Sequence, residues 1–349
     1  MAKIKKLSTP PDGFGDKNKW ADYIELLCIT SLDKIVSADE IYDKMYGDKS
    51  DDESEDAGLI DETEDGDFVF ESEELISDED NEDDITKGEK DDKNKSKINE
   101  IFDFLVSRNN LFGEFYPFQI SKSPKYIKLK EGLSNKHYSY LGLLASSNLD
   151  YLRMHKSSLT TNFETNSLFV FKKLLPNEAR IEYFGKGNER GSVFSENKLY
   201  DRLLQLSDVL KTPISSLLVK EEINASNTGD GGLDIVGWHD IIDNLSGKVI
   251  IFGQCACGLD WYDKQFDIHP AKWDNYISSS HPILRTLITP ISFRNYNGDW
   301  FKKSKIFDCV IIDRYRFLKS LRKRENSKVA LSNANVVEEV IQWNNDYFN

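Results

Sequence analysis

Apolar residues recur along this chain with two periods, and the change from one to the other divides it. In the first part the spacing is helical. Trp20, Tyr23, Ile24, Leu27 and Cys28 share one face, with Asp16 placed as an N-cap. Ser37-Ala38-Asp39-Glu40 has capping-box spacing and opens a second helix through Ile41 and Met45. Ile98, Ile101, Phe102, Leu105 and Val106 repeat the period up to a turn at Asn109-Asn110, and Tyr126-Ile127-Lys128-Leu129 predicts a strand. Helices are expected over 137–149 and 163–175, and Ile181-Glu182-Tyr183-Phe184 reads as a short strand or as the close of the second. Gly185-Lys186-Gly187-Asn188 makes a loop. An amphipathic helix then runs from about Ser195 through Leu199, Leu203, Leu206 and Leu210 to before Pro213, with Asp201 and Arg202 read as solvated.

Beyond that helix the pattern turns to strands. Thr228 to Trp238 is a glycine-rich turn delivering an apolar strand with one carboxylate, Asp234, embedded in it. After a polar loop over 243–248, Val249 to Cys257 is a continuous apolar run, as expected of a strand in a sheet covered on both faces. Its one strongly polar side chain is Gln254. Ile306 to Ile312 reads as a further buried strand.

The 349 residues are 30% charged but 12% aromatic, too aromatic for a wholly disordered chain. No apolar run approaches the ~18 residues of a membrane span, and no apolar run follows the charged Met1–Lys6 as in a signal peptide. Four cysteines in so long a chain predict a reducing, cytoplasmic setting rather than a disulfide framework. The net charge of −15 is unevenly spread. Residues 51–92 hold 22 of the 60 acids and two lysines, a local −20, and the remainder carries +5. Such a run repels itself and is expected to be a disordered acidic insertion.

Two short helices, a third helix and a small β element suggest a winged-helix-like module over 1–150 with the acidic insertion inside it; a helical adaptor with no nucleic-acid role is the alternative. A connecting helical segment over 151–190, an α+β or α/β domain over 191–330 and a C-terminal helix or tail over 331–349 complete the expected organisation.

An Asp and a Gln on successive buried strands cost too much desolvation to go unpaired, unless they hold a cation. In that order, with a helix before them, Asp234 and Gln254 resemble the PD-(D/E)xK, or restriction-endonuclease-like, nucleases of Mrr-like and phage-defence type, over about residues 190–315. The resemblance implies a mixed β-sheet flanked by helices and a metal-dependent DNA endonuclease in a restriction or anti-phage system. It implies Mg²⁺ or Mn²⁺ held by Asp234, the Gln254 side-chain oxygen or the backbone carbonyl of Cys255, with Glu196 and Asp230 as additional acids. One departure matters. Ala256 stands where the motif has its lysine, and Lys264, on a helix expected just past Gly258, is the substitute. Without it the protein is expected to be a catalytically inactive nuclease-fold subunit that binds DNA or other proteins of a defence complex.

Other motifs recede. Cys255 and Cys257 read as small core residues, because a zinc site would need ligands at no recognisable spacing. Gly229-Asp-Gly-Gly lacks the Lys-Ser/Thr of a P-loop. Trp261, Trp273 and Trp300 are expected in the core. From Phe301 to Ala330 ten basic residues face three acids, and Lys302, Lys303, Lys305, Arg314, Arg316, Arg322, Lys323 and Arg324 are the expected nucleic-acid-binding margin. Oligomerisation stays open.

Overall fold

A computed structural model of the chain describes residues 7, 9–11, 13–46, 87–185, 191–220, 223, 229–243, 245–258 and 261–343. Of the acidic insertion expected at 51–92, residues 51–86 lie outside the described residues, as do 186–188 of the expected loop. Residues 87–92 are not linker; they open a helix.

The N-terminal unit comprises α1 (Lys17–Thr30), β1 (Ile35–Ser37), α2 (Ala38–Tyr46), α3 (Lys87–Phe112), β2 (Phe118–Lys122) and β3 (Lys125–Leu129). Its strands form an antiparallel sheet in the order β1-β3-β2. The caps are those expected. Asp16 Oδ1 accepts the backbone N–H groups of Asn18 and Lys19. Ser37 and Glu40 exchange side-chain-to-backbone hydrogen bonds in a closed box. The turn expected at Asn109-Asn110 does not form, and α3 runs through it to Phe112. Burial of Arg108 and Phe112 holds that last turn helical against the weak preference of two asparagines.

The rest contains α4 (Asn135–Ser146), α5 (Lys156–Phe171), β4 (Arg180–Tyr183), α6 (Leu199–Leu210), β5 (Ile235–His239), β6 (Val249–Cys255), α7 (Trp261–Lys264), α8 (Pro270–Trp273), β7 (Leu284–Ile288), β8 (Val310–Ile312), α9 (Arg314–Ser320) and α10 (Lys323–Gln342). A five-stranded mixed sheet runs β4-β5-β6-β7-β8, with β4, β5 and β6 an antiparallel meander and β6, β7 and β8 parallel. The fold is mixed α+β, a mixed sheet with helices on both faces.

Alternation along β6 assigns those faces. Ile250 and Phe252 join Leu199, Leu203, Leu206 and Leu210 of α6 in one core, together with Trp273. Ile251 joins the other core, with Phe171 of α5. The α5 side is close-packed, since a Cβ at Gly253 would lie 2.7 Å from Phe171 Cε2. Glycine is what lets the helix approach the strand.

Three corrections follow. The helix expected to precede the meander, α6, is inserted between β4 and β5; the helix ahead of β4 is α5. The boundary at 330/331 falls inside α10, which packs on α4 and α5. The strand expected over Ile306–Ile312 is confined to β8, because Phe307 is exposed and Asp308 has φ +37°.

One apolar core runs from α1 through α4 and α5 to the sheet residues Ile235, Ile251, Ile288 and Ile312. A buried ionic cluster crosses the same junction. Arg108 Nη1 lies 2.6 Å from Asp22 Oδ1 and 3.0 Å from Glu25 Oε1, and Arg314 joins from α9. Tyr116 and Tyr140 hydroxyls donate to Glu25 at 2.9 and 2.8 Å. Burial alone would raise Asp22, but the Arg314 and Arg108 guanidiniums hold it below the usual carboxylate range; Glu25 stays raised by burial despite Arg108.

Candidate functional site

The end of the β5–β6 ladder brings the two expected residues near each other. The ladder closes at the pair Ile235–Gly253, and Asp234 lies just beyond it, bonded to the backbone on either side of Gln254. Asp234 N–H donates to Gly253 O at 3.0 Å, and Asp234 Oδ2 accepts the Cys255 N–H at 2.6 Å. The Gln254 side chain is buried, and its Oε1 has no hydrogen-bond partner. A buried acceptor left unmatched costs about 1–3 kcal/mol.

The loop that presents Asp234 is fixed from beneath. Gly232 has φ +81°, and a Cβ there would meet Asp267 Cβ at 2.4 Å, which requires glycine. Arg202 of α6, expected in solvent, is instead buried and donates to the carbonyls of Phe184 (3.0 Å) and Gly229. It pins the start of the glycine-rich turn to the end of β4.

Burial pushes the Asp234 carboxyl well above the usual carboxylate range, and the Asp230 charge adds to it. The Cys255 N–H opposes the rise, Glu164 reinforces it and the Lys264 ammonium opposes it. Glu164, on α5, also acts on the thiols of Cys255 and Cys257, which burial holds protonated. Sequence reasoning missed Glu164. It comes from the helix that truly precedes the meander, whereas Glu196 is exposed on the segment before α6. Asp230 Oδ1 accepts the Gly232 N–H at 2.7 Å and shapes the turn.

Lys264 ends the short helix α7, as expected, and its ammonium is 3.4 Å from Asp267 Oδ2. Ala256 is buried, with no long side chain at the motif position. Among the described residues no group of three or more His, Cys, Asp or Glu side chains is arranged to hold a metal ion. The oxygens expected to hold a hard cation are the Asp234 carboxylate, Gln254 Oε1 and the Cys255 carbonyl, with the Gln254 side chain on the Phe252 face of β6 and that of Cys255 on the Ile251 face. Such a set fits Mg²⁺, which uses one or two carboxylates and keeps several waters.

The basic margin divides. Lys302, Lys303, Lys305, Arg316, Arg322, Lys323 and Arg324 are exposed. Arg314 is buried and ion-paired to Asp22, so it cannot contact a nucleic acid. Trp261 and Trp273 are in the core, while Trp300 is only half-buried, with the guanidinium carbons of Arg294 and Arg316 at 4.0 and 4.7 Å from its ring centroid. No helix among the described residues is long and apolar enough to cross a membrane.

The fold is that of an α+β protein with a buried acid and a buried amide on neighbouring strands at one end of a mixed sheet. No protein-family model matches the chain, and no curated protein or solved structure matches it.

Proposed function

We propose that the chain is a metal-dependent DNA endonuclease of PD-(D/E)xK type, active in the cytoplasm in a restriction or anti-phage role. The observation that carries this reading is the buried Asp234 carboxyl at the start of β5, hydrogen-bonded to the β6 backbone on either side of the buried, unpartnered Gln254 oxygen. It sits in a helix–meander–helix–parallel-strand order, with a third carboxylate, Glu164, on the leading helix. Asp234, Gln254 Oε1 and the Cys255 carbonyl would hold Mg²⁺ or Mn²⁺, with Glu164 as the nearby acid. Bound there, the cation would polarise the phosphate and lower the pKa of an attacking water. The Lys264 ammonium acts electrostatically on Asp234 and would stabilise the negative charge gathered on the attacking or leaving oxygen.

The N-terminal unit supports DNA as the substrate. Its helix–strand–helix–helix–strand–strand order, with sheet order β1-β3-β2, is that of a winged helix, and Lys93, Lys95 and Lys122 are exposed on α3 and the hairpin. The eight exposed basic residues of 302–324, Lys319 among them, supply a second margin for phosphates. A plasmid nicking assay with and without Mg²⁺ tests the reading, and Asp234→Ala must abolish the divalent-dependent product. One observation favours the rival, a non-cutting DNA- or partner-binding subunit of a defence complex. Lys264 is tied to Asp267 and Ala256 replaces the motif lysine. DNA binding without nicking in either metal would select it.

A further inference from the structure

Behind the glycine-rich turn, on the α8 side of the sheet, lies a cavity of about 420 Å³ whose lining includes Phe252, Trp273, Asp274, Ser280, His281 and Arg285. Its size is that of a small-molecule site. Trp273 is the wall it shares with the candidate site, since a Cβ at Gly231 would lie 3.6 Å from the Trp273 ring.

Arg285 is the unusual member. It projects from β7, only 4% of its side chain is exposed, and Nη1 is buried with no hydrogen-bond partner. Its ion-pair partner is Asp308, whose side chain is 84% exposed on a backbone with φ +37°. A buried guanidinium is costly unless its donors are used, and an exposed carboxylate is a weak, exchangeable partner. The planar fork of an arginine matches a phosphate or carboxylate with two parallel N–H···O bonds.

We propose that this cavity binds a nucleoside monophosphate, with Arg285 on the phosphate and Asp308 as the internal carboxylate that the phosphate displaces. Phosphate is favoured over a carboxylate because the Ser280 hydroxyl, on the loop that also lines the cavity with Ser279 and His281, adds a donor for a further oxygen. The cavity exceeds what a bare anion fills. Its apolar and aromatic lining suits a flat ring, and Asp274, its one carboxylate, suits sugar hydroxyls or a ring amino group as an acceptor. The assignment is independent of phosphodiester cleavage.

Calorimetry on the full chain tests it, with AMP, adenosine and inorganic phosphate as probes. AMP is expected to bind at least tenfold more tightly than either fragment. Asp308→Asn, at an exposed position, should tighten AMP binding several-fold by removing the competitor. Arg285→Gln should weaken AMP binding at least tenfold, with folding checked by circular dichroism. If that variant does not fold, the Asp308→Asn result decides alone. Adenosine binding as tightly as AMP, or Asp308→Asn leaving AMP affinity unchanged or weaker, overturns the proposal.

Discussion

Asp22 of α1 and Arg314 of α9, 292 residues apart, meet as a buried bidentate pair, with Nη1 3.0 Å from Oδ1 and Nη2 2.7 Å from Oδ2. The pair joins the N-terminal unit to the end of the five-stranded sheet, and Ser147 of the intervening chain hydrogen-bonds to both partners. With Arg108 and Glu25 it forms a charge cluster from which no member can be removed cheaply.

Arg314→Leu should therefore destabilise the protein by about 3–5 kcal/mol, because Asp22 and Glu25 would then share Arg108 alone. Urea unfolding followed by tryptophan fluorescence measures this. A loss below about 1 kcal/mol would mean that the pair is not the clasp its geometry indicates.

Asp234→Asn should remove divalent-dependent cleavage while stabilising the apo fold at neutral pH. The wild-type carboxyl has a raised proton affinity, so between the ordinary carboxylate range and its raised value the folded state holds more protons than the unfolded one. Stability is then full at low pH and falls as pH rises through that window. Chemical denaturation across pH 4–8 should show this decline in the wild type and a shallower one in the variant. Parallel profiles would refute the buried carboxyl.

Glu164→Gln should weaken Mn²⁺ binding about tenfold in calorimetry, whereas Glu196→Gln, at an exposed position, should leave it unchanged. The opposite ranking would return the second acid to the segment before α6.

Replacing Arg322, Lys323 and Arg324 by Gln should lower the slope of log K against log salt for non-specific DNA by roughly 2 to 3, if each contacts one phosphate. Fluorescence anisotropy between 50 and 200 mM salt reads it. An unchanged slope would remove this margin from the DNA-binding surface.

Elements whose signal is local were legible in the sequence. The Asp16 cap, the Ser37–Glu40 box, the leucine period of α6 and the apolar run of β6 all report short-range physics. The Asp234–Gln254 pair was legible because burial makes a polar residue in an apolar strand conspicuous. Glu164 was not, since Thr165 and Asn166 beside it give α5 an ordinary polar look and its meeting with Asp234 is purely tertiary. Arg202 had a faint signal, lying between Leu199 and Leu206 on the face that α6 buries. Arg314 had none. A basic residue just after an apolar strand reads as surface until the acid that receives it, at the far end of the sequence, is in place.

That separation has a consequence for biosynthesis. When the ribosome releases α1, Asp22 and Glu25 have no Arg314 to meet, and at ~5–20 residues per second it follows roughly 15–60 s later. Until then α4 also lacks the covering of α10, which is made later still. A nascent chain, or one truncated by premature termination before α9, cannot close its own interior. Such a protein acquires its finished interior only once α9 and α10 have both been made.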